Sequence, residues 1–185
     1  MSATKACGIE QSDGWMQHMR RGDFEAAWRV SDRVLRVRSG VPCDHLPRHL
    51  QYFWDGRPLD GKRVLIRCYH GLGDTIQFVR YAPFVRARAR EVILWVQPKL
   101  FPLFRSVPGI DLLLPLHDGL PDVDFDTSVE IMELPHVFRT TTSTIPGPQH
   151  SAAFGLLFLH IRVLLDRYHT ENTDKGMIYV LRRME

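Results

Sequence analysis

The stretch Tyr69-His70-Gly71-Leu72-Gly73-Asp74-Thr75-Ile76-Gln77 holds the residue types best suited to chemistry in this chain. It follows an apolar run over 63–69 that reads as a strand and precedes a run over about 75–88 that reads as a helix. A turn between strand and helix sits where parallel sheets bind ligands, at the carboxyl ends of their strands. Gly71 and Gly73 are expected to let the backbone turn tightly and to leave room for a ligand near the main-chain amides. The helix amino terminus would add unpaired N–H groups and a positive dipole end. Asp74 has two readings here. It can cap the helix, with Gln77 three residues on completing a capping-box-like pair. As a carboxylate at the mouth of a cleft, it can also accept a proton from a hydroxyl as a general base. One aspartate can do both. His70 can assist Asp74 or serve only to close the loop.

Two nucleotide-binding motifs are close in form but fail in detail. A Gly-x-Gly-x-x-Gly fingerprint would need glycine where Ile76 stands, and the Gly-Lys-Ser or Gly-Lys-Thr of a Walker A loop does not occur.

The elements around this turn alternate. Apolar runs at 63–69, 91–97 and 111–116 read as strands, and 125–129 as a further short one. Helical runs are expected at 75–88 and 98–107, the first kinked by Pro83 and the second stopped by Pro108-Gly109. Strand–helix–strand–helix–strand implies an α/β domain with a doubly wound parallel sheet. Ahead of it, Trp15, Met16 and Met19 suggest one helix. Asp23 caps a second from Phe24 to about Val37, with Phe24, Ala27, Trp28, Ser31, Val34 and Leu35 on one face. A helical hairpin over 12–42 is therefore expected, one tetratricopeptide-like unit at most, because no second copy appears at the required period. A packed lead-in with turn signals at Trp54–Pro58 and Asp60-Gly61 joins the two parts. Helical turns are expected at 132–138, a loop at 140–148, a helix at 153–168 and a strand at 177–181.

Composition narrows the classes. The chain has 185 residues, 44% of them hydrophobic and 24% charged, enough for one core and a small accessory segment. The net charge of +3 is spread along the chain rather than gathered in a stripe, so no nucleic-acid partner is expected. The three cysteines, Cys7, Cys43 and Cys68, are odd in number and widely spaced, which argues against a disulfide framework or zinc site and for a reducing, cytoplasmic setting. Cys68 reads as a buried small hydrophobe. Residues 1–11 hold no apolar stretch, so no secretory leader is expected. The run over 152–165 is broken by His160 and Arg162 and is shorter than the ~20 residues of a membrane span. The loop carrying Asp118, Asp122, Asp124 and Asp126 lacks the spacing and glutamate of an EF-hand, and no metal is expected.

The segment GLGDTIQFVRYAPFV, preceded by Trp54-x-Gly56 and Gly61-Lys62-x-Val64-Leu65-Ile66, resembles the glycosyltransferase-like domain that follows tetratricopeptide repeats in many bacterial proteins. That domain is similar to glycosyltransferase family 9, the heptosyltransferase family. The resemblance continues through Val96-Gln97-Pro98, Leu100, Leu103, Pro108-Gly109, Asp124-Phe125-Asp126 and Leu134-Pro135 to Ile145-Pro146. It implies a Rossmann-like, acceptor-side lobe of a GT-B glycosyltransferase over 54–146, in which Asp74 would deprotonate the acceptor hydroxyl. Gly71 and Gly73 would shape the loop, and Thr75 and Gln77, with His70, would lie beside the acceptor. It implies no cofactor beyond a nucleotide-sugar as co-substrate, and a glycan or protein acceptor. Relatives often carry Glu-Gln where this chain has Tyr69-His70. Residues 147–185 do not continue the family's pattern, so a truncated or frame-shifted chain, or a tail that caps an orphaned lobe, is expected, in each case without the donor site. A non-catalytic protein- or glycan-binding module and a nucleotide-binding Rossmann domain are the competing classes.

Overall fold

The computed structural model describes residues 14–147 of the chain. They divide into two compact units.

The first unit contains residues 14–41 and 135–145. Residues 14–21 form helix α1, and Phe24–Arg38 form α2, which together give the expected helical hairpin. Gly22 takes φ 74° between them, a left-handed conformation that glycine adopts without steric cost. Asp23 caps α2, its carboxylate accepting from the Ala26 amide at 3.1 Å. The helix buries Ala26, Ala27, Trp28, Val30 and Leu35, the apolar stripe its spacing requires. Residues 135–145, read from the sequence as part of the lobe, group with this hairpin. The Trp28 indole N–H donates to the Thr140 carbonyl at 2.9 Å, and its ring stacks on His136 at 5.7 Å. Asp32 then bridges His136 Nε2 at 2.9 Å and the Arg139 guanidinium at 2.7 Å.

The second unit is the α/β part, residues 42–134 with 146–147. In chain order it holds β1 (Arg63–Arg67), α3 (Leu72–Phe78), α4 (Ala82–Arg86), β2 (Glu91–Val96), α5 (Phe101–Phe104), β3 (Leu112–Pro115) and β4 (Thr127–Glu130). A last short helix, α6 (Leu134–Val137), begins at Leu134 of this unit and runs on into residues 135–137 of the first. All four strands are parallel, in the order β3-β2-β1-β4, a Rossmann-like α/β arrangement. Every residue of β1 after Arg63 and of β2 after Glu91 is buried, as central strands covered on both faces must be. Leu65, Ile93 and Trp95 form a cluster on one face, with Tyr69, Leu114, Leu116, Val123 and Phe125 packed against it. Pro115 ends the edge strand β3, and the Leu116 amide just past it donates to the Val96 carbonyl at 2.9 Å.

The single long helix expected over 75–88 is instead three pieces. α3 begins at Leu72, a 3-10 turn covers Val79–Tyr81, and α4 carries Pro83 in its first turn. Proline is tolerated there because first-turn amides have no helical partner. The expected helix at 98–107 is likewise a 3-10 turn, Pro98–Leu100, followed by α5. The expected helix at 153–168 and strand at 177–181 lie outside the described residues. Among the described residues, no helix is long and apolar enough to cross a membrane.

Gly109 holds a close approach. Its φ is 82°, and a Cβ there would lie 2.6 Å from Pro83 Cα and 2.8 Å from the Ala82 carbonyl carbon. Both neighbours are backbone, so neither can swing away. Gly109→Ala should therefore cost about 2 kcal/mol or more of stability, from the strained φ and the clash together, read as a lower denaturation midpoint in urea.

Candidate functional site

The site lies at the carboxyl ends of β1 and β4. The strand order places β1 between β2 and β4, and the chain leaves β1 toward β2 but returns to β4 on its other side. That is the reversal beside which open parallel sheets bind ligands. Two segments meet there: Tyr69–Asp74 after β1, and Glu130–Glu133 at the end of β4.

The Glu130 side chain is 2% exposed and fully engaged. One oxygen accepts from His70 Nδ1 at 2.9 Å and from the Tyr69 amide at 3.3 Å. The other accepts from the Met132 amide at 2.6 Å. Glu133 reciprocates: its carboxylate accepts from the Glu130 amide at 3.0 Å, completing a capping box at the turn Ile131–Glu133. The same Glu133 oxygen accepts from the amides of Phe53 and Trp54, which ties the lead-in to the site.

Gln97, the first residue after β2, fastens the loop from the other side. Its amide nitrogen donates to the carbonyls of Cys68 at 3.0 Å and His70 at 2.8 Å. Its oxygen accepts from the Thr75 hydroxyl at 3.3 Å, and that hydroxyl also reaches the Gly71 carbonyl at 3.1 Å.

This geometry corrects part of the sequence reading. The helix starts three residues earlier than expected, with Gly71 at its N-cap position and Asp74 in its first turn. Asp74 is therefore not the cap, and the Asp74–Gln77 capping pair does not form. The capping box sits at Glu130 and Glu133 instead. Neither loop glycine is among those with positive φ. Gly71 is extended, with φ −65° and ψ 165°. Gly73 has open space where a Cβ would point, so it leaves room above the loop without being needed for the turn. α3 has only seven residues, which makes its dipole a short one.

The structure brings His70, Gly71 and Asp74 together. A Cβ on Gly71 would stand 3.5 Å from Asp74 Oδ2, and the Asp74 carboxylate acts electrostatically on His70. Asp74 is half-buried, and its side chain makes no hydrogen bond among the described residues. Gln77 is half-buried on the same helix. Thr75 is fully buried beneath the loop, its hydroxyl committed as described. Cys68 is buried too, and burial, then the Glu130 charge, pushes its thiol well above the usual range, so it is an inert core residue as expected. Among the described residues no group of three or more His, Cys, Asp or Glu side chains could hold a metal ion.

Sequence reasoning did not find Glu130, Gln97 or Arg67, which all lie at the carboxyl ends of strands. A charged residue closing an apolar run, as in RVLIR or TSVE, was the available signal. Arg67 is buried, donates from Nη1 to the Tyr69 hydroxyl at 2.9 Å, and lies 4.0 Å from the centre of the Phe53 ring.

With Nδ1 donating to Glu130, Nε2 of His70 is the nitrogen left for proton transfer. The imidazole is a quarter exposed. The hydrogen bond to Glu130, opposed by burial and helped by the charges of Glu130 and Asp74, raises its pKa above the ordinary value. The arrangement thus offers a free carboxylate beside an imidazole oriented by a buried carboxylate, which is general acid–base equipment. No protein-family model, curated protein or solved structure matches this chain.

The raised pKa has a testable sign. A folded-state pKa above the unfolded value means that the His70–Glu130 pair stabilises the fold fully below about pH 6.5 and loses that contribution as pH rises through the folded pKa. In a proton NMR titration His70 should titrate above its ordinary value. Glu130→Gln should bring it down, and the stability gap between variant and parent should narrow from about pH 5 to about pH 8.

Proposed function

We propose that this chain is glycosyltransferase-like: the acceptor-side lobe of a nucleotide-sugar-dependent transferase, with Asp74 as general base. The observation that carries this reading is the state of Asp74. It is a half-buried carboxylate with no side-chain hydrogen bond among the described residues, in the first turn after β1 and beside the β1–β4 reversal. The resemblance of GLGDTIQF to the family 9-like domain supports it, as does the Rossmann-like strand order.

In this mechanism an acceptor hydroxyl lies against Asp74 and attacks the anomeric carbon of the donor. The new carbon–oxygen bond forms as the bond to the nucleoside diphosphate breaks, and the diphosphate leaves with that electron pair. The hydroxyl proton passes to Asp74. His70, held by Glu130 through Nδ1, keeps Nε2 for a proton, and the Asp74 charge favours its protonated form. Gly71 and Gly73 keep the approach open, and Gln77 lines the helix side. The acceptor is a glycan or a protein. The hairpin as one tetratricopeptide-like unit, and a cytoplasmic location, belong to the same proposal.

A second reading, a module that binds a glycan or protein without turnover, is favoured by one observation. The described residues build a single sheet, and so one wall of a cleft.

The two separate in one experiment. The purified chain is titrated calorimetrically with UDP-, GDP- and ADP-sugars, and each mixture is assayed for transfer or donor hydrolysis. Where the chain turns over a donor, the transferase reading expects Asp74→Asn to lower that turnover by about 10²–10⁴-fold while the fold survives. Turnover indifferent to that change removes Asp74 as the base. Glycan binding without turnover in a folded sample supports the second reading.

A further inference from the structure

Arg67, the last residue of β1, is a buried charge that the transferase reading leaves unused. It is 8% exposed. Nη1 is satisfied by the Tyr69 hydroxyl, but Nε is buried without a hydrogen-bond partner, and Nη2 makes no hydrogen bond among the described residues. Nε and Nη2 share one edge of the guanidinium, the edge that binds both oxygens of a carboxylate or phosphate in parallel. Among the described residues the whole of that edge is unpaired.

Aromatic rings surround it. The guanidinium carbon lies 4.0 Å from the centre of Phe53, 5.5 Å from Phe125, 5.6 Å from Trp95 and 5.8 Å from Tyr69. Ring faces stabilise a cation but offer no oxygen to an N–H fork. A carboxylate would, yet none among the described residues does. Glu130 is the register partner of Arg67 across β1 and β4, but its oxygens are taken by His70 and two backbone amides. Arg67 has no ion pair among the described residues. A buried charged donor without a partner is costly, and such a group calls for a specific explanation.

A second guanidinium shares two of the rings. Arg48 lies 5.0 Å from the centre of Tyr69 and 5.6 Å from that of Trp95. It is held there by the carbonyls of His117 at 2.6 Å and Gly119 at 3.4 Å, with Asp118 at 3.8 Å.

We propose that Arg67, with Arg48 and the rings of Phe53 and Tyr69, is a binding site for an oxyanion, the carboxylate or phosphate of a small molecule. Phe53 and Tyr69 are only partly buried and form its outer wall. The Nε–Nη2 edge of Arg67 takes two oxygens of the anion, and Arg48 adds positive charge across the shared rings. The site stands whether or not Asp74 acts as a base, since Asp74 takes no part in it.

The test uses the full chain and two probes, sodium acetate and inorganic phosphate, at an ionic strength held constant with chloride. The Nε–H resonance of Arg67, assigned by its absence from Arg67→Lys, is followed by NMR through each titration, and binding is measured in parallel by calorimetry. A saturable shift with either probe is expected, and the probe that binds more tightly tells carboxylate from phosphate. Arg67→Lys keeps the charge but loses the fork, and should bind at least about tenfold more weakly. An Nε–H resonance unmoved by both probes in the folded parent chain overturns the site. So does undiminished binding by Arg67→Lys. If Arg67→Lys does not fold, the parent titration, with Arg67 assigned through its own side-chain bonds, decides alone.

Discussion

Glu130 carries a carboxylate almost wholly withdrawn from water, and the arrangement of the site depends on how that charge is satisfied. Left unpaired, a buried carboxylate would either take up a proton or unfold its surroundings. Here it accepts from one imidazole nitrogen and two backbone amides, so the segments after β1 and β4 are drawn to the same point. Those two segments come from strands that neighbour each other in the sheet but lie far apart in the chain. The bond to His70 orients the ring, and the bond to the Tyr69 amide sets where the loop leaves the strand. Gln97 does the complementary work with a neutral amide, binding the carbonyls of Cys68 and His70 from β2. Between them, the two side chains hold the backbone of residues 68–71 on both sides, with no glycine conformation needed to shape it.

Asp74 differs from its neighbours in that nothing among the described residues holds its carboxylate. Thr75 and Gln97 are spent on the loop, Glu133 on backbone amides, and Glu130 on His70. A loop whose neighbouring polar groups are satisfied while the Asp74 carboxylate stays unbonded among the described residues, beside a sheet reversal, is what proton transfer to that carboxylate would require. Arg67 shows the same contrast with opposite charge. Stacking by rings lowers the cost of its burial but cannot fill its fork.

Much of the fold was legible from local physics. The β1 and β2 runs were readable because central parallel strands, covered on both faces, are nearly continuous in Val, Leu and Ile. Asp23 announced α2, and Pro108-Gly109 the end of the helical region before β3. Helix boundaries were less legible. Pro83 was expected to kink one helix, but it begins a new one. Asp74 was expected to cap, because aspartate before an apolar run is a strong signal, yet the chain started α3 at Leu72. Residues 135–145 carried no sign that they would pack on Trp28 and Asp32.

The sequence by itself determined the class of the domain, the Asp23 cap of α2, and the position of the Gly-Leu-Gly-Asp segment at the carboxyl end of a strand. These follow from periodicity and from residues within a few positions of each other, which interact whatever the rest of the chain does. Tertiary structure alone decided which carboxylate meets His70, which amide pins the loop, and which guanidinium is left with an open edge. His70 and Glu130 are 60 positions apart, and Gln97 and His70 are 27 apart. Only the strand order β3-β2-β1-β4 and its register bring such residues to one edge of the sheet, and spacing along a chain holds no record of that order.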